Sequence, residues 1–246
     1  MLVRTLKRID FYLSFVKFYG VSSVKRGFIY VLTYMAIPLA ELFLIYMISH
    51  GSFLGYGIVG GLLTVIASNG LSSTADFAYL RLVSKLQDLL VASQISPNDY
   101  ILGLMLSNLT YSLPGIIVYF ALALVFHVFS PMMILVLILL LINTSAIGFF
   151  ISTLIPHMRY GWGVGGLLST FLSIIPPIFY PYYLLPREIF YVLFPLPTTL
   201  SALIMQDESG LISVSNTLLT FSWVLLVVET VIFYYLSVRF SRWRSV

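Results

Sequence analysis

Residues 132–155 read MMILVLILLLINTSAIGFFISTLI, a run without one charged side chain. A helix needs about 20 consecutive apolar residues to cross the hydrocarbon core of a bilayer, so this stretch predicts a membrane span. Outward from it, the pattern repeats. Five further apolar stretches of similar length lie at about 27–49, 57–80, 100–127, 162–181 and 214–238. With six spans alternating in direction, the connections fall into two sets of very unequal charge. One set holds Arg4, Lys7, Arg8, Lys17, Lys25, Arg26, Arg81, Lys85, Arg159, Arg239, Arg242 and Arg244, and the other only Arg187. Short connections rich in Lys and Arg stay cytoplasmic, so both termini are expected inside. The predicted fold is an all-α integral membrane protein of the cell (plasma) membrane, one transmembrane domain over residues 1–246 with six transmembrane helices.

Composition points the same way. Hydrophobic residues make up 60% of the chain and charged ones 9%, against roughly 25% charged in soluble domains. The net charge of +4 flanks the apolar stretches, and reads as a topology signal rather than a nucleic-acid footprint. Cysteine is absent, which excludes a disulfide framework, a thiolate metal site and a catalytic thiol. No Gly-Lys pair occurs, so the phosphate-cradling Walker A loop is missing. His50, His127 and His157 stand apart, without the i, i+4 partner of a helical zinc site. The chain is therefore expected to carry no enzyme activity of its own and no cofactor or metal.

The segments between spans carry their own signals. Leu2, Leu6, Ile9, Leu13 and Val16 recur at helical spacing, opposite Arg4, Lys7 and Arg8 and then Phe11, Phe15 and Phe18. That predicts an interfacial helix within residues 1–26, its first half at the cytoplasmic membrane surface and its second packed on other spans. Spans one and two fill 27–80. Within 81–99, Leu82, Leu86 and Leu89 share one helical face while Arg81, Lys85 and Asp88 lie elsewhere, which predicts a short amphipathic helix. Ser96-Pro97-Asn98-Asp99 then opens the third span, with Ser96 as N-cap, Pro97 first in the helix and Asp99 facing the dipole. Spans three to five fill 100–181. Six prolines crowd residues 176–197, and Pro176-Pro177 must break the fifth span. Because Ile189–Phe194 is wholly apolar, the 182–213 segment is expected to dip back into the outer leaflet. Span six and a basic tail complete 214–246.

Two acids, Glu41 and Glu229, fall inside spans. An ionisable group at that depth is costly and normally faces protein or water. They are either a proton- or substrate-contacting pair or hydrogen-bond acceptors that tighten packing; the second reading is preferred. Asp76 is expected to pair with the basic edge. Asn69, Asn108 and Asn143 suit hydrogen bonds between helices, and Gly57/Gly61 and Gly161/Gly165 have the small-xxx-small spacing of close helix contacts.

The stretch 86–109, LQDLLVASQISPNDYILGLMLSNL, and the outer segments Phe179-Tyr-Pro-Tyr-Tyr-Leu-Leu-Pro186 and Phe194-Pro-Leu-Pro197, together with the order of parts, carry a resemblance. The chain resembles the membrane subunits of ABC-2-type (type V exporter fold) ATP-binding-cassette transporters. It departs from that pattern at Leu104, where a lysine is usual, and at Leu196, where an asparagine is usual. The resemblance makes the 81–93 segment a coupling helix, with Arg81, Leu82, Lys85, Leu86 and Leu89 contacting a separate nucleotide-binding ATPase subunit that holds ATP and Mg. It implies a second permease copy, as homo- or heterodimer, and a prokaryotic source. Gly57, Gly60, Gly61, Ser68, Asn69, Ser169, Phe171 and Ser173 become candidates for the substrate pathway. The function so implied is export of a hydrophobic, lipid, lipid-linked glycan or drug-like substrate. The alternative is a self-sufficient secondary carrier or channel using Glu41 and Glu229.

Overall fold

The computed structural model describes residues 2–93 and 95–241 of the chain. Arg242, Trp243 and Arg244 of the predicted tail lie outside the described residues, as do the side chains of Arg4, Lys7 and Arg26. Helix α1 (Leu2–Phe15) runs through a π-helical turn (Val16–Val21) into α2 (Ser22–Arg26) and α3 (Phe28–Ser49). Then follow α4 (Leu54–Ser72), α5 (Thr74–Leu82), α6 (Leu86–Ala92), α7 (Pro97–Val125), α8 (Met132–Leu154) and α9 (Met158–Ile174). A 3-10 turn at Tyr182–Leu184 precedes α10 (Arg187–Leu193), α11 (Pro197–Glu208) and α12 (Asn216–Arg239). No strand occurs among the described residues.

Four stretches are long and apolar enough to cross a membrane: α4 with α5 as Leu54–Leu82, then α7, α8 and α12. The pair α10 and α11, bent by 109°, makes a fifth if taken as one unit. The predicted fifth span at 162–181 is not among these stretches: its segment forms α9, which begins four residues earlier than expected and ends at Ile174, just before Pro176-Pro177. Proline cannot donate to the helix and clashes with the preceding turn, so the helix stops there. The α3 helix keeps an apolar stretch over Met35–Ser49 and closes at His50, which adopts a left-handed conformation at φ 49°. His127 does the same after α7, at φ 56°.

Helix α4 is the axis of the bundle. It packs against α3, α7, α8, α9 and α11, and 89% of the apolar stretch it forms with α5 is buried, against 17% for α12. Small residues permit this crowding. A Cβ placed on Gly61 would stand 2.0 Å from the Tyr119 ring of α7, and one on Gly148 of α8 would stand 2.5 Å from the Gly70 carbonyl oxygen. Such close approach is how helices associate where lipid supplies no hydrophobic drive. Gly161 and Gly165 seat α9 against Ala75 and Ser72, so their small-xxx-small spacing serves contact within this chain.

Hydrogen bonds between helices use the three asparagines. Asn69 donates to Ser112 Oγ at 2.8 Å, Asn108 to Ser73 Oγ at 2.9 Å, and Asn143 to Thr230 Oγ1 at 3.3 Å. Helix α11 is buried along Pro197–Gln206 among α4, α8 and α12. The Gln206 amide donates to the Pro177 carbonyl at 3.1 Å, tying α11 to the segment after α9. The 182–211 excursion begins and finishes at one end of the bundle. Tyr56 marks that end, with its hydroxyl donating to the Leu211 carbonyl at 2.8 Å and lying beside Tyr183.

Candidate functional site

At the opposite end the basic residues gather, because α5, α8 and α12 finish there and α7 and α9 begin there. Arg81 donates to the Ser152 and Ile155 carbonyls, both at 2.7 Å, and so caps the end of α8. A guanidinium suits a helix C-terminus, where the final carbonyls lack partners. Ser96 caps α7 as its sequence predicts, accepting from the Asp99 amide at 3.2 Å. The Asp99 carboxylate also accepts from Tyr12 at 2.6 Å and pairs with Arg8 at 3.7 Å. Burial, with the hydrogen bond to Asp99 and its charge, pushes the Tyr12 hydroxyl up to about 12. This cluster fixes α1 against α7. Phe15 is buried there against Tyr100, edge to face, while Ile9, Leu13 and Phe18 remain exposed.

The helix between the second and third predicted spans is shorter than expected. Arg81 and Leu82 belong to α5, and a break at Lys85, left-handed at φ 50°, separates them from α6. Leu86 and Leu90 turn inward onto the cluster around Phe77, Leu80 and Tyr100. Gln87 is buried and donates to the Ser241 carbonyl at 2.9 Å, which holds α6 to the end of α12. Leu89 points outward with 66% exposure, beside exposed Val83, Lys85 and Asp88. The three leucines therefore divide. Over two turns, residues four apart share a face, and the Leu86–Leu90 pair claims the inner one.

The pathway candidates on α4 lie inside the helix bundle. Gly57 faces Leu42 of α3, Gly61 is filled by Tyr119, Gly60 meets Phe179, and Asn69 is occupied by Ser112. On α9, Ser173 is buried and its carbonyl accepts from Thr64 at 3.5 Å, whereas Phe171 is exposed and Ser169 half-buried. The structure brings Ser173 to α4 and leaves Phe171 on the outer face.

The two intramembrane acids sit on different helix pairs. Glu41 of α3 lies within electrostatic reach of the Tyr119 hydroxyl. Glu229 of α12 adjoins Thr230, which bonds Asn143 of α8. Each acid has one buried carboxylate oxygen without a hydrogen-bond partner, and the Tyr119 hydroxyl is unpartnered too. Among the described residues no hydrogen bond or ion pair joins the acids, and no three His, Asp or Glu side chains gather as a metal site requires.

Sequence reasoning assigned Asp99 to the helix dipole and missed its partners on α1. Only the excess of aromatic residues on one face of α1 hinted that this helix docks. Gly61 carried the spacing of a close helix contact, but nothing in the sequence marked Tyr119 as its partner, since the two lie far apart in the chain. No family model matches this chain, and no curated protein matches it in sequence. What the fold defines is therefore a class: a protein all-helical among its described residues, with four helices long and apolar enough to cross a membrane.

Proposed function

We propose that this chain is the membrane-spanning permease subunit of an ATP-driven exporter of the ABC-2 type. In this reading α3, α4 with α5, α7, α8, α9 and α12 are six crossings, with both termini cytoplasmic and α10–α11 re-entrant from the outer leaflet. Energy comes from a separate nucleotide-binding subunit, and two permease copies enclose the path of a hydrophobic, lipid-linked or drug-like substrate. The observation that carries this reading is α6. A short helix, pinned by Gln87 to the end of α12, holds Leu89 outward at the basic end of the bundle, and Val83 at the end of α5 is exposed as well. Apolar anchors displayed on a fixed helix are a common way to dock into a partner's groove.

The test is co-purification of an ATPase subunit in mild detergent, with substrate-stimulated ATP hydrolysis, for wild type and Leu89→Glu. Leu89 is exposed, so the charge leaves the bundle intact. Central anchors often contribute over ~2 kcal/mol to docking, so complex recovery is expected to fall at least tenfold. Export would stop with it. A mutant that retains its ATPase and exports normally overturns the proposal.

A second reading has one observation in its favour. The unpartnered oxygen of Glu41 beside Tyr119 is an arrangement a proton-coupled carrier could use. Transport that follows a proton gradient without ATP would replace the exporter with that carrier.

A further inference from the structure

An open groove of about 610 Å³ runs between α7, α8 and α12 near the basic end. Its walls are Leu102, Ile142, Val231 and Val238, and its volume falls within the ~300–1,000 Å³ of small-molecule sites. Val231 and Tyr235 are each 62% exposed, so the groove opens sideways onto the surface that a bilayer would cover. Toward the basic end the lining becomes mixed, with Val238 the last wall residue before Arg239. Asn98, in the first turn of α7, joins Tyr234 and Tyr235 of α12.

Charge at that mouth is positive on balance. Tyr234 lies within electrostatic reach of Asp99, whose carboxylate is engaged by Tyr12, Ser96 and Arg8. Arg8 remains more than half exposed in that pair and keeps donors to spare. Arg239 stands one turn beyond Tyr235 on the same face of α12, exposed. The first-turn amides of α7 add the positive end of a helix dipole.

We infer that this groove binds one anionic phospholipid of the cytoplasmic leaflet. Its acyl chain lies along Leu102, Ile142 and Val231. Its phosphate meets Arg8, Arg239, Asn98 and the Tyr235 hydroxyl. An apolar slot that opens into lipid and ends in tyrosine, amide and guanidinium groups is complementary to an amphiphile with a negative head. The bilayer supplies that species at the groove's open side, and the polar end lies where headgroups begin. The cytoplasmic side follows from the topology proposed above. Binding itself requires neither transport nor an ATPase.

The experiment is native mass spectrometry of the full chain, delipidated in detergent and titrated with dioleoyl phosphatidylglycerol, dioleoyl phosphatidylcholine or glycerol phosphate. Wild type is expected to retain one phosphatidylglycerol at least tenfold more tightly than phosphatidylcholine, and to retain no glycerol phosphate. Val231→Trp, at an exposed position, fills the slot and should cut phosphatidylglycerol affinity at least tenfold. Ile142→Trp reports the same from the facing wall should the first variant be poorly folded. Arg8→Gln should bring the two lipids to near-equal affinity, and Val224→Trp, elsewhere on exposed α12, should change nothing. Undiminished phosphatidylglycerol binding in both groove variants overturns the inference. So does equal affinity of wild type for the two lipids, or retention of glycerol phosphate alone. Because neither export nor ATP hydrolysis is read, such a failure leaves the exporter proposal standing.

Discussion

Gly61 is the residue on which the centre of the bundle turns. Its missing side chain is the space that the Tyr119 ring occupies, and an added methyl would overlap that ring at 2.0 Å. Overpacking of this kind costs about 1–3 kcal/mol when neighbours can shift, and Tyr119 is fully buried. Gly61→Ala should therefore lower the melting temperature of the purified protein in a fluorescence-detected melt. Tyr119→Leu in the same background should restore part of the loss, and an unchanged melt for Gly61→Ala would contradict this packing. The neighbouring Glu41 behaves differently. Glu41→Gln and Glu229→Gln keep hydrogen-bonding capacity while removing charge, so under the exporter proposal both variants should transport at near wild-type rates in a proteoliposome assay. Loss of transport by either folded variant would assign a coupling role to that acid.

Among elements, α1 shows how a surface helix is held by few groups. Its aromatic face rests on α7, and the Tyr12–Asp99 hydrogen bond closes the contact. A free phenol ionises near 10 but docked Tyr12 stays neutral up to about 12. Its contribution is thus complete below pH 10 and is lost as pH rises through 12, when a phenolate would face the Asp99 carboxylate. Protection factors of α1 amides, which correct for the base-catalysed rise in intrinsic exchange, should fall across that window in wild type. Tyr12→Phe should exchange faster at pH 8 and show no such step. The elements also differ in how far their sequences announce them. Ser96-Pro97 and Pro176-Pro177 place a helix start and a helix end almost to the residue, because caps and prolines act locally. The α6 face was misread for the opposite reason. Three leucines on seven residues fit two helical faces, and the choice depended on Phe77 and Tyr100, which only the tertiary fold brings near. Likewise α11 reads as a mixed segment of threonine, serine and leucine, yet it is buried on all sides.

For the molecule as a whole, the arrangement of charge is the strongest expectation to test. The chain lacks cysteine, so single cysteines at Ser52, Glu208 and Asp88 can be probed with a membrane-impermeant thiol reagent on intact cells. The proposed topology has Ser52→Cys and Glu208→Cys labelled and Asp88→Cys protected; the reverse pattern would invert the protein in its membrane. The central placing of α4 bears on biogenesis as well. Taken with α5, it is the least apolar of the four long stretches, and among the described residues its main packing neighbour already synthesised when it emerges is α3. The helices that enclose it on its other sides, α7, α8, α9 and α11, are all translated later. During synthesis, then, a glycine-rich helix suited to protein contact must wait in lipid for its surroundings. A ribosome that stalls before α7 leaves behind a fragment whose axis has no walls, and membrane quality control would meet it as an orphan.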